Sequence, residues 1–210
     1  AIVSCFLIPW ARQLVELLLG PAYHDSWPVL ALMLLYPIHQ SLGQVNATMF
    51  MACERTREYM ITALIGQLLS LPVSYILLAA PDTMPLPGLG LGAYGLALKM
   101  VGMNALLVNL QAWIIAKFNQ WKFEWLYQLT AIVPLLLLGY IAKAVTEALP
   151  VLDGADPRAR VLADLALAGL IFAPVALILL WLQPRIAGFE RDELRALVAR
   201  FNPLHLARRP

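Results

Sequence analysis

The chain has 210 residues, of which 61% are hydrophobic and 13% charged, with a mean hydropathy of +0.73. A soluble domain needs a more polar surface, so the composition excludes an ordinary water-soluble globule and points to a membrane protein. A net charge of +2 and two cysteines, Cys5 and Cys53, give no reason to expect a nucleic-acid partner, a disulfide framework or a metal framework.

The first eleven residues, "AIVSCFLIPWA", are uncharged but too few to cross a bilayer unaided. They lack the basic start of a signal peptide and read as a truncated helix over 1–11, with the chain the C-terminal part of a longer protein. "LVELLLGPAY" ends a short helix, with Gly20 at its C-cap and Pro21 just beyond. "YHDSW" sets His24 beside Asp25. It reads as a helix start, capped by Asp25 or Ser26 and with Pro28 in the first turn, rather than as an acid/base pair.

Five complete spans follow, over 27–53, 59–81, 92–116, 125–146 and 165–184. Each has about 20 residues or more, which at a rise of ~1.5 Å per residue covers a ~30 Å hydrocarbon core. Strands of a membrane barrel would alternate in polarity and run to about 10 residues, so only helices fit. The expected fold is an all-α polytopic membrane bundle over residues 1–184, its successive helices antiparallel because the loops are short. The loop at 81–92, "PDTMPLPGLGLG", reads as a turn-rich, flexible approach to the third full span. Over 185–210, Leu194, Leu197, Val198 and Phe201 recur at helical spacing among arginines. That pattern fits either an amphipathic helix on an anionic membrane surface or a solvated tail.

Orientation follows from the basic residues. One set of connections holds Arg55, Arg57, Lys117, Lys122, Arg185, Arg191, Arg195, Arg200, Arg208 and Arg209, whereas the other holds only Arg12, Arg158 and Arg160. The first set, and with it the C-terminus, is expected in the cytoplasm, and the 81–92 loop outside.

The first full span carries an unusual density of polar groups in "YPIHQSLGQVNATMF". At helical periodicity His39, Gly43, Asn46 and Phe50 share one stripe, and Gln40, Gln44, Ala47 and Met51 the next. Together they make a sector that should face other helices or a wet cavity rather than lipid. Pro37 predicts a kink just before it. The second span adds Gln67, Ser70, Pro72 and Ser74, and the third adds Lys99, Asn104, Asn109 and Gln111. The plain alternative for the amides and for His39 is interhelical hydrogen bonding. For Lys99, ~10 Å deep by helix rise, it is snorkelling to the interface. Lys143, four residues before Glu147, reads as snorkelling or paired. No carboxylate lies mid-span, and no nucleotide loop, paired catalytic carboxylates or metal-ligand spacing is present. Neither a cofactor nor enzymatic chemistry is expected.

"LLLGPAY", "YPIHQSLGQVNATMFMACERTR" and "GLGAYGLALKMVGMNALLVN" together resemble the C-terminal half of bacterial polysaccharide flippases. These are the O-antigen-type transporters of the multidrug/oligosaccharidyl-lipid/polysaccharide exporter superfamily. The family's turn, cytoplasmic-loop and helix-start elements fall on Leu18–Tyr23, Ala52–Arg57 and Gly92–Ala97, and the likeness covers roughly residues 10–120. The resemblance implies the second of two pseudo-symmetric bundles around a central cavity, with a missing N-terminal half and membrane lipids as partners. It implies a flippase of the cytoplasmic (inner) membrane, moving polyprenyl-pyrophosphate-linked oligosaccharide by alternating access for cell-surface polysaccharide biosynthesis.

The residues suit such a substrate. Lys99, His39, Gln40, Gln44, Asn46, Gln67 and Asn109 are the candidate substrate-binding set, offering cations and neutral hydrogen-bonding groups without fixed negative charge. A glycan ligase or polymerase on the same lipid carrier would be expected to place acid/base residues on a long outer loop. Here the outer loops are short, and Asp82, Asp153 and Asp156 have no evident partners in the sequence. A non-transporting scaffold subunit is the third reading.

Overall fold

Lipid offers backbone N–H and C=O groups no hydrogen bonds, so a chain this apolar has to satisfy them internally. The computed structural model describes residues 1–82, 86–149 and 156–183, and all regular structure among them is helical. In chain order the helices are α1 Ile2–Leu7, α2 Ala11–Leu19, α3 Trp27–Met33, α4 Tyr36–Ala52, α5 Thr56–Leu78, α6 Gly92–Phe118, α7 Tyr127–Glu147 and α8 Pro157–Leu182. The expected tail helix over 185–210 lies outside the described residues, as do Asp153 and the middle of the 81–92 connection.

Among the described residues five helical paths are long and apolar enough to cross a membrane, and the first of them, at the N-terminus, stands where only a truncated helix was expected. Ile2–Leu19 forms one path of 18 residues, tightened at Pro9 into a 3₁₀ turn over Ile8–Trp10. The truncated helix expected over 1–11 is thus extended. Arg12 and Glu16, which break the apolar run in the sequence, lie four apart on α2 and pair at 3.9 Å. Conversely, the span expected over 27–53 is two helices. Pro37, second in α4, has no N–H to give the Met33 carbonyl, and the chain passes the gap through Leu35 N–H to Leu32 (2.9 Å) and Ile38 N–H to Leu35 (3.2 Å). The expected kink is an interruption. Ser26 occupies the N-cap of α3 and Pro28 its first turn, but neither Asp25 nor Ser26 makes a side-chain cap bond. His24 instead reaches back to Glu16 and Arg12.

The approach to α6 is pinned rather than loose. Leu89, Gly90 and Leu91 N–H groups donate to the carbonyls of Ile76, Ala79 and Leu77, and the Tyr75 hydroxyl donates to Leu86 O at 2.8 Å. Carbonyls left open at the end of α5 are thereby filled by the chain folding back on them. Gly88 permits this, since a Cβ there would stand 2.2 Å from the Ala79 oxygen.

The helices pack as two groups. In one, α6 lies against α3, α4 and α5, and in the other α7 lies against α1 and α8, with α2 and α3 joining them. Small residues set the close approaches, as expected where lipid gives no hydrophobic drive for helix association. Thr62, Gly66 and Ser70 form a buried stripe on α5, and a Cβ on Gly66 would meet Leu107 at 2.9 Å. Ala142, Ala168 and Ala176 are fully buried around Cys5, Trp10, Leu135 and Phe172 in the α1–α7–α8 core. Outward faces stay apolar, with Leu170, Leu177 and Leu182 of α8 largely exposed, as suits a lipid-facing helix.

Gly139 marks a close helix crossing. A Cβ there would lie 2.5 Å from the Cys5 carbonyl oxygen and 3.3 Å from Pro9. Gly139→Ala should therefore destabilise the protein by about 1–3 kcal/mol in detergent unfolding, through overpacking. Gly102→Ala, whose Cβ meets nothing within 4 Å, should hold or raise stability.

Candidate functional site

The polar stripe of α4 is read out by α6. Asn46 is buried and its Nδ2 donates to the Val108 carbonyl at 2.8 Å. The contact needs Gly43 one turn earlier, where a Cβ would come within 3.2 Å of Val108 Cγ2. His39 continues this stripe on α4, and Asn104, one turn before Val108, occupies the matching stripe on α6. Each holds a buried nitrogen without a protein partner, His39 Nδ1 and Asn104 Nδ2. Buried polar nitrogens of this kind are ordinarily satisfied, so these two are unfilled hydrogen-bonding positions among the described residues of α4 and α6. Asn109 bonds its own helix at Ala105 O (2.8 Å) and accepts from Gln128 Nε2 at 2.9 Å, tying α6 to α7.

The second stripe behaves differently. Gln40, Gln44 and Met51 are exposed, as is Gln67 on α5. The polar sector expected to face other helices or a wet cavity is split: one stripe is buried against α6, and the other is exposed on this chain. The cause is geometric, because α5 leans on α6 more than on α4 and leaves that side of α4 uncovered. Lys99 lies on the α6 face away from Asn104 and Val108, on a stripe shared with exposed Leu106 and Trp113. The structure thus gathers His39 and Asn46 at one seam, sets Asn109 at another, and leaves Lys99, Gln40, Gln44 and Gln67 apart.

The two intramembrane lysines are opposites. Lys143 Nζ donates to Pro9 O (2.8 Å) and Gln13 Oε1 (3.1 Å), lies 3.6 Å from Glu147 Oε1, and stands 5.3 Å from the Trp10 ring centre. Gln13 Nε2 also donates to Glu147, closing a ring of contacts between α2 and α7. This is the paired alternative, with partners that lie on a distant helix as well as on its own. Lys99 has no hydrogen-bond or ion-pair partner among the described residues.

Between the two helix groups runs a groove of about 670 Å³. None of the seven expected site residues lines it, but Gln128, outside that set, does. Its signal was an amide one turn into an otherwise apolar segment. Among the described residues no three His, Cys, Asp or Glu side chains gather as metal ligands.

Fold and surface define a multi-pass α-helical membrane protein. Compared with protein-family models, curated proteins and solved structures, the chain gives no match.

The contrast between the lysines is measurable. Lys143→Met should cost about 1–3 kcal/mol of stability, because carbonyl and carboxylate groups lose their donor. Lys99→Gln should stay within about 0.5 kcal/mol of the parent in the same unfolding assay, as for a site without partners.

Proposed function

We propose that this chain is part of a flippase that moves a polyprenyl-pyrophosphate-linked oligosaccharide across the cytoplasmic membrane by alternating access, as the sequence resemblance implies. The observation that carries the reading is the unpaired Lys99. One intramembrane ammonium is fully engaged in holding helices together, whereas Lys99, ~10 Å from the start of α6, has no protein partner among the described residues. A lysine at such depth favours a countercharge or a water-filled cavity over lipid. A pyrophosphate supplies that countercharge. Exposed Gln40, Gln44 and Gln67 offer neutral hydrogen bonds suited to a glycan, although they stand apart from Lys99 in this bundle and would need the second bundle to enclose a common cavity.

The test is leaflet accessibility of the lipid-linked glycan in cells with and without the full-length protein. At equal protein levels, Lys99→Gln should abolish most transport and Lys99→Arg should keep part of it, since charge is retained while geometry changes. Normal transport by Lys99→Gln would reduce the lysine to an interfacial anchor and remove the main support for the reading.

Orientation has its own handle. Arg55, stacked 4.7 Å over Phe118, brings the α4–α5 turn to the same end as Lys117, and the positive-inside pattern makes that end cytoplasmic. Cys53 in this turn is a free, exposed thiol, and Cys5 is buried. An impermeant maleimide should label Cys53 only after the membrane is opened. Labelling in intact cells would reverse the orientation and with it the direction of transport.

A further inference from the structure

Helices α4 and α6 meet along a seam with a seven-residue repeat. On α4 it runs through His39, Gly43, Asn46 and Phe50, and on α6 through Asn104, Val108, Gln111 and Ile115. Asn46, Phe50, Val108, Gln111 and Ile115 of this set are buried. Two layers fix the register. Gly43 faces Val108, where a Cβ would come within 3.2 Å of Cγ2, and seven residues on Phe50 and Ile115 line one cleft. The helices therefore run parallel, and one turn before Gly43 and Val108 the same register sets His39 opposite Asn104. By helix rise this layer lies ~18 Å along α6, deep in the span. His39 Nδ1 and Asn104 Nδ2 are shielded there and have no partner among the described residues, so they do not bond each other. Because the fold already covers both atoms, a side chain from another segment could reach them only by parting α4 from α6.

We propose that a single water molecule is bound in this layer, accepting from Asn104 Nδ2 and donating to His39 Nδ1. Three conditions select it. The occupant is neutral, because an ion would be buried without a countercharge. The facing stripes hold no Asp, Glu, Lys or Arg, Lys99 lies on the other face of α6, α3 has no charged residue, and Arg57 and Glu58 of α5 sit in its first turn. It is small, because Gly43 one turn on already brings the helices into contact. It both donates and accepts, since the amide N–H needs an acceptor and an unprotonated ring nitrogen needs a donor. A buried water meets all three, and such waters ordinarily serve about 2–4 polar groups. If both nitrogens donated, both hydrogens of the water would be left without acceptors in an apolar seam, so Nδ1 accepts. The ring proton then sits on Nε2, and His39 offers a donor on its far side. This site does not depend on the transport reading.

The test is solid-state NMR of the full-length protein in lipid bilayers, isotope-labelled at histidine and asparagine. In the parent, magnetisation should pass from water to the Asn104 side-chain amide and to His39 Nδ1, with Nδ1 the unprotonated ring nitrogen. Asn104→Leu should remove the transfer at Nδ1, and His39→Leu the transfer at Asn104. A double-mutant cycle reads the same bridge energetically. Each single substitution strands the other nitrogen, whereas the double substitution strands neither. The double variant should therefore be about tenfold more stable in its folding equilibrium than the two single effects multiply to, a coupling of ~1.4 kcal/mol. A dry seam in the parent overturns the proposal, and so does a direct hydrogen bond between His39 and Asn104. Additive substitutions overturn it as well, as does a transfer at Nδ1 that persists in Asn104→Leu. Should a variant fail to fold, the parent spectrum decides alone.

Discussion

A polar group removed from water must find a partner, and in a bilayer that requirement acts on every peptide unit as well as on side chains. It makes the chain helical, and it governs what happens where a helix is interrupted. At Pro37 the ladder is carried across by two 3₁₀-type bonds, and at the end of α5 the returning segment 86–91 fills the open carbonyls. The same rule accounts for Lys143, whose ammonium is surrounded by a carbonyl, an amide, a carboxylate and an indole face. Among the described residues, Lys99 and the buried nitrogens of His39, Asn104 and Trp10 stand outside it.

The way the helices meet is set by small residues rather than by bulk. Gly43, Gly66 and Gly139 each let a neighbouring helix approach to a distance that a methyl group would obstruct, and buried alanines do the same for α8. Two centres result, one around α6 and one around α7, each with its own aromatic contact, Phe50 with Tyr59 and Phe6 with Phe172. The groove is the space where these centres do not interlock, crossed by the Asn109–Gln128 bond and bounded at one end by the aromatic connection.

Much of this architecture was legible in the sequence because long apolar runs admit one structure in lipid. The ends of α5, α6 and α7 fall close to the limits of those runs, and Gly20 at the end of α2 is in the left-handed region at φ +89°, where glycine is favoured. Less was legible where partners are distant. Arg12 cuts the first apolar run short at residue 11, because its pairing with Glu16 one turn on is not visible in local hydropathy. The α8 start at Pro157 is not legible because Arg158, Arg160 and Asp164 hold the apolar run back to residue 165, although Arg160 and Asp164 pair along the helix at 4.0 Å. The polar residues were identifiable as a set, but their faces were not. Periodicity separates the stripe of Asn46 from that of Gln44, yet only the position of α6 decides which of them is buried. Gln128 and the Pro9–Gln13–Lys143 contacts depend on pairings that no local pattern encodes.

The two packing centres differ in how far along the chain their contacts reach. The α5–α6 hairpin is fastened by bonds between residues close in sequence, such as Leu89 to Ile76 and Tyr75 to Leu86. Contacts of α1 and α2 with α7, by contrast, join residues 127 to 134 positions apart. During synthesis the hairpin can close as soon as its second helix is inserted. The N-terminal helix must wait in the bilayer, with Trp10 and Gln13 unmatched, until four further helices have entered and α7 arrives. Local contacts form early and long-range ones late in any folding chain. Here that ordering makes the docking of α7, the helix carrying Gly139 and Lys143, the step that first joins the N-terminal helices to the rest, before α8 completes their core.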